Sequence, residues 1–86
     1  MESVKLSPGE RHLIASIIEH IYPDPKAGST LPIEAGEMRP ARGLERKGLV
    51  TIRVRDEHGR QVPEMTFTPL GETIYERQRH QASAYP

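Results

Sequence analysis

Eight side chains carry the strongest chemical signal in this sequence: Arg39, Arg42, Arg46, Lys47, Arg53, Arg55, His58 and Arg60. Seven of them are full cations crowded into residues 39–60, where only Glu45, Asp56 and Glu57 oppose them, a balance of +4. Residues 1–38 balance at −3 and residues 61–86 at −1, so a chain of zero formal net charge carries its positive charge in its middle. Arginine forks bond guanine edges and phosphate oxygens, and lysine neutralises phosphate as a point charge. The chemistry on offer is anion recognition, above all of a nucleic-acid backbone. The zero total keeps it modest, so binding by one copy is expected to be weak and salt-sensitive. The competing reading of the same charges is a solvated, mixed surface with Glu45, Asp56 and Glu57 interleaved.

Other chemistries find less support. His12, His20, His58 and His80 form no pair at ligand spacing, and there is neither an HExxH run nor a cysteine, so no metal site and no disulfide framework is expected. Ser7, Ser16, Ser29 and Ser83 lack a glycine elbow, Glu34 and Glu37 stand close with no sign of a cleft, and no phosphate-cradling glycine loop occurs. With 86 residues, 35% of them hydrophobic, and a mean hydropathy of −0.63, the chain can close one thin core and no deep pocket. The expectation is a non-enzymatic protein without a cofactor. No apolar run approaches the roughly 20 residues of a membrane span, and no signal peptide is read at the start. A cytoplasmic location without membrane contact is expected.

The elements that must hold the cations follow from local patterns. Ser7-Pro8-Gly9-Glu10 predicts a helix start, with Ser7 as cap, Pro8 in the first position and Glu10 closing a capping box. Leu13, Ile14, Ile17, Ile18, Ile21 and Tyr22 then recur at helical spacing, predicting a helix over 8–22 that ends at Pro23 and Pro25. Residues 24–30 are turn chemistry. A short helix could start near Thr30 with Pro32 in its first turn, weakened by Gly36; a break near Arg39 and a second short helix from Pro40 to Gly48 complete a tight helix pair. Ala41 and Leu44 face inward, while Arg39, Arg42 and Arg46, at i, i+3 and i+7, share an outer stripe. Gly43 weakens that helix by roughly 1 kcal/mol relative to Ala.

Residues 49–55 alternate Val50, Ile52 and Val54 against Thr51, Arg53 and Arg55. Residues 62–68 alternate Met65 and Phe67 against Glu64, Thr66 and Thr68. A polar turn over 56–60 joins them into a β-hairpin, with Pro63 suited to an edge or a loop end. Thr68-Pro69 opens a last helix with Leu70, Ile74 and Tyr75 on its apolar side. One domain is expected over 1–86, ordered over about 7–80, with residues 81–86 a flexible tail.

Two motifs are more specific than this order. Leu44, Glu45, Gly48, Leu49 and Val50 match an L-E-x-x-G-L-V pattern, and Phe67, Thr68 and Gly71 match L-T-x-x-G with Phe for Leu. With the hairpin between them, residues 8–80 resemble winged helix-turn-helix proteins, in particular the core of the MarR-like regulators. This chain looks like a trimmed or degenerate member: Pro40 and Gly43 fall where a long recognition helix is usual, and long dimerising terminal helices are missing. The resemblance implies an α+β winged helix, with a three-helix core, a two-stranded wing and a C-terminal helix. It implies a small DNA-binding transcriptional regulator of bacterial, phage or mobile-element origin. Arg39, Arg42 and Arg46 would enter the groove of double-stranded DNA, Lys47 would meet phosphate, and Arg53, Arg55, His58 and Arg60 would serve the wing. A homodimer would double these contacts, through the first helix or through Tyr75 and Tyr85 of the last; Tyr75 serves equally as a cap on the core. The alternative is a winged-helix adaptor that binds a protein partner, for example a phage protein engaging host machinery, without DNA.

Overall fold

The computed structural model describes residues 4–83. Its elements run α1 (Pro8–His20), β1 (Thr30–Pro32), α2 (Met38–Arg46), β2 (Val50–Glu57), β3 (Arg60–Phe67) and α3 (Pro69–Ser83). The strands form one antiparallel sheet in the order β1-β3-β2. The class is therefore α+β. The core gathers Leu13, Ile14 and Ile17 of α1, Ala41 and Leu44 of α2, Leu49, Val50, Met65 and Phe67 of the hairpin, and Ile74 and Tyr75 of α3.

Ser7 starts α1 as its sequence predicts. Its hydroxyl accepts the Glu10 N–H at 3.2 Å, and Glu10 Oε1 accepts the Ser7 N–H at 3.0 Å. The helix ends two residues before the expected boundary. Ile21 is extended, and Tyr22 is 94% exposed instead of lying on the buried face. Pro23 is the physical reason, because its ring disfavours helical angles in the residue before it.

The larger correction concerns residues 30–40. A helix was expected near Thr30; the chain instead adds a third strand to the hairpin. Thr30, Leu31 and Pro32 pair with Thr66, Met65 and Glu64, and the hydroxyls of Thr30 and Thr66 meet at 2.8 Å. Pro32 fits both readings, since a residue without an N–H suits an edge strand as well as a first helical turn. A tight turn follows, with Gly36 at φ +89, and a single helix takes up the remainder. It does not break at Arg39. Pro40 is its third residue, where no intrahelical acceptor awaits an N–H, so the ring is accommodated without loss. Three helices are thus present among the described residues where four were expected, and the helix pair before the hairpin is reduced to one.

The hairpin is longer than its sequence signal. Strand pairing runs from Val50↔Phe67 out to Glu57↔Arg60, so the five-residue turn expected over 56–60 shrinks to His58 and Gly59. Both have positive φ, 55 and 79, as a two-residue hairpin turn requires. β3 is the central strand, so Pro63 is not on an edge. Its donorless side faces the end of β1, where Ile33 N–H donates to the Pro63 carbonyl at 3.0 Å; the return bond that an N–H at this position would make is absent, and the β1–β3 pairing ends at Pro32↔Glu64. Val54, on the same side of the strand as the buried Val50, is itself 49% exposed, because the outer half of the hairpin projects past the helices.

The junction of α2, β2 and α3 explains both sequence motifs. Gly48 takes φ +81 to reverse the chain, Leu49 N–H returns to the Leu44 carbonyl at 3.0 Å, and Leu44, Leu49 and Val50 are buried. Glu45 Oε2 accepts the Ile52 N–H at 3.0 Å, fixing the start of β2 to α2. Thr68 ties in the last helix. Its N–H donates to the Leu49 carbonyl, while its hydroxyl lies 2.7 Å from the Gly48 carbonyl, 3.0 Å from that of Leu49, and 3.0 Å from the Gly71 N–H that it accepts. Gly71 is held against the Leu49 carbonyl, and a Cβ there would run into that oxygen.

Tyr75 is fully buried, with its ring edge-on to Phe67 at 5.8 Å and its hydroxyl donating to Asp24 Oδ1 at 2.8 Å. Of the two roles open to it in the sequence, core cap or interface, it takes the first. Tyr85, its proposed companion, lies outside the described residues, as do the last three residues of the expected tail. The helix itself continues to Ser83.

Candidate nucleic-acid interface

The residues singled out by charge divide into two groups. Arg39, Arg42 and Arg46 are all exposed on the outer side of α2. Arg39 and Arg46 line one shallow depression together with Pro40 and with Ser7, Gly9 and the carboxylate Glu10 at the α1 start, so the helix brings at least these two arginines to a common surface. Among the described residues none of the three pairs with a carboxylate. Ala41 and Leu44 face the core from the same helix, which fixes the orientation of the arginine stripe.

Lys47, half-buried, is engaged within the fold. Its ammonium forms an ion pair with Glu10 Oε1 and donates to the Lys5 carbonyl at 2.6 Å. Glu10 is only 5% exposed. Burial alone would raise its carboxyl; the Lys47 hydrogen bond, the Ser7 N–H and the Lys47 charge outweigh burial and hold it below the ordinary value. Gly43 makes room for this arrangement, since a Cβ at that position would collide with Glu10 Oε2. The glycine that weakens α2 by propensity is what allows the start of α1 and the end of α2 to close on each other. The expected phosphate contact at Lys47 is therefore replaced by a structural one. Sequence reasoning missed the pair because its members stand 37 residues apart.

On the hairpin, register sorts the side chains. Thr51, Arg53, Arg55 and Glu57 of β2 share one face with Thr66, Glu64, Val62 and Arg60 of β3. Arg53 stands opposite Glu64 and Arg60 opposite Glu57. Arg55 donates to Glu57 at 2.8 Å and lies 3.6 Å from Glu64. Arg55 and Glu57 are half-exposed and Glu64 is more buried; pairs this open to solvent at the arginine contribute little to stability, but they engage Arg55 locally. Arg53 and Arg60 make no ion pair among the described residues, and His58 is exposed at the tip. Of the eight candidates, Arg39, Arg42, Arg46, Arg53, His58 and Arg60 remain available to a partner. Arg55 is shared with two glutamates, and Lys47 is committed to the fold.

The described residues hold no cluster of three or more metal-ligating side chains, and no helix among them is long and apolar enough to cross a membrane. Compared with family models, curated proteins and solved structures, the chain matches none of them.

Proposed function

We propose that this chain is a small DNA-binding protein of winged-helix type, acting in transcriptional regulation, with α2 laid in the major groove and the β2–β3 hairpin as the wing. The observation that carries the reading is the exposed arginine stripe Arg39, Arg42 and Arg46, without ion pairs among the described residues, on the outer side of a helix whose inner side is locked into the core. At 1.5 Å per residue the nine residues of α2 span about 14 Å, enough to set three side chains along a groove about 12 Å wide. Groove arginines bond base edges and phosphates, and Arg53 and Arg60 on the projecting hairpin reach the flanking backbone. The molecule's extents of 45 × 28 × 22 Å agree with a hairpin standing out from a small body.

The test is binding to a random-sequence duplex, followed by fluorescence anisotropy at low salt. Binding is expected that weakens steeply as salt is added, with a several-fold loss on Arg42→Ala and a smaller one on Arg53→Ala. The engagement of Lys47 and Arg55 within the chain favours a second reading, a winged-helix adaptor whose arginine stripe meets an acidic protein surface. Absence of duplex binding at low salt moves the assignment to it.

A further inference from the structure

The turn between β1 and α2 leaves space beside the C-terminal half of α1. Residues 33–37 pass from β1 to α2 in a single turn, and only Ile33 of that turn is buried. What remains is a cavity of about 190 Å3 between the C-terminal half of α1, β1 and the turn. Its floor is apolar: Leu13, Ile17, Ile21, Leu31 and Met65. Its rim carries Glu34, Glu37 and His20. A dry apolar cavity of about 150 Å3 suffices to hold a benzene ring, so this space admits one ring or a branched alkyl group.

The rim has a definite charge. Glu37 Oε1 accepts the Glu34 N–H at 3.1 Å, which orients that carboxylate over the turn. Neither Glu34 nor Glu37 pairs with a cation among the described residues. His20 Nδ1 lies 3.0 Å from the Ser16 carbonyl. With the proton on Nδ1 donated there, Nε2 is left as an acceptor. The rim therefore offers hydrogen-bond acceptors and negative charge above an apolar floor. We propose that this cavity binds a small amphipathic cation, with an aromatic or branched alkyl group on the Leu13–Ile17–Met65 floor and an ammonium held by Glu34 and Glu37. The site stands apart from the arginine stripe, and its occupancy does not depend on the DNA reading.

The probes are 2-phenylethylammonium and its charge-reversed counterpart 3-phenylpropionate, titrated into the full chain and followed by amide chemical shifts. The ammonium is expected to saturate with a Kd on the order of 1 mM, as befits a ligand of fragment size, with shifts concentrated in residues 16–21, 31–37 and 65. The carboxylate is expected to bind at least tenfold more weakly, and Glu34→Gln to weaken the ammonium several-fold with an unchanged melting temperature, since the Glu34 side chain is exposed and makes no ion pair among the described residues. Equal affinity for both probes, scattered shifts without saturation, or ammonium binding unchanged by Glu34→Gln would each overturn the assignment.

Discussion

The two sides of α2 carry the same kinds of residue and do opposite things with them. On the inner side, Lys47 and Glu45 are both charged. Yet one is ion-paired to the buried Glu10 and the other accepts a backbone N–H of β2. On the outer side, Arg39, Arg42 and Arg46 have no internal partner among the described residues. Arg46 and Lys47 are neighbours in sequence and equal in charge, but only the first is available to another molecule. A basic run is therefore not yet a binding site: partners and burial decide which of its charges hold the fold and which face outward.

The inner side of α2 is most vulnerable at the close approaches behind it. Gly71→Ala sets a Cβ against the Leu49 carbonyl, a backbone atom that cannot swing aside. A loss of about 3 kcal/mol of unfolding free energy is expected, read as a drop in the urea midpoint, despite alanine's better helix propensity. Gly43→Ala meets a side-chain carboxylate instead. Because Glu10 is held by Ser7 and Lys47, its displacement is expected to lower stability by about 2 kcal/mol.

Removing the cation, as in Lys47→Met, leaves Glu10 buried without its partner, and a similar loss of about 2 kcal/mol is expected, moderated because the Lys47 head is partly exposed. The pH dependence follows from the depressed Glu10 carboxyl. Its contribution is fully present above the ordinary value of 4.5 and is lost as pH falls through the lower folded value. Acid melting of the wild type should therefore show a descending limb below that pH, and Glu10→Gln should flatten it.

Tyr75 sharpens the picture from the opposite end of the scale. Burial, and then the hydrogen bond to Asp24 and its charge, push the phenol up to about 12 from an ordinary 10.0. Its stabilisation is complete below pH 10 and declines as pH rises toward 12. Tyr75→Phe should lose about 1 kcal/mol at neutral pH and much of that alkaline decline. Smallest of all is the expected stability effect of Arg42→Ala on the outer side, within about 0.5 kcal/mol in a urea melt. A larger loss would show that the stripe has an internal partner after all.

Much of this organisation was legible in the sequence because it is local. The capping box at Ser7, the reversal at Gly48, the alternation of the hairpin and the Thr68-Pro69 start each lie within a few residues. The i, i+3, i+7 arithmetic placed the arginines on one outer side once α2 was read as a helix. What was illegible depended on distant partners. Pro32 carries the same signal in an edge strand as in a helix start, and only pairing with Glu64 decides between them. Pro40 marks a helix beginning equally well at its first or its third position. Lys47 looked like a surface cation because nothing within a turn of it reveals Glu10, and Gly43 looked like a weak point because the group it accommodates belongs to another helix.

The central claim is that the outer side of α2 is the nucleic-acid surface and the inner side is not. It is tested most directly by the salt dependence of duplex binding for the wild type and for Arg39→Ala/Arg42→Ala/Arg46→Ala. Each neutralised phosphate contributes about 0.9 to the slope of log Kobs against log salt. The triple variant should keep the wild-type urea midpoint and lose about 2–3 from that slope. An unchanged slope in a folded triple variant, or no binding by the wild type at low salt, would contradict the claim.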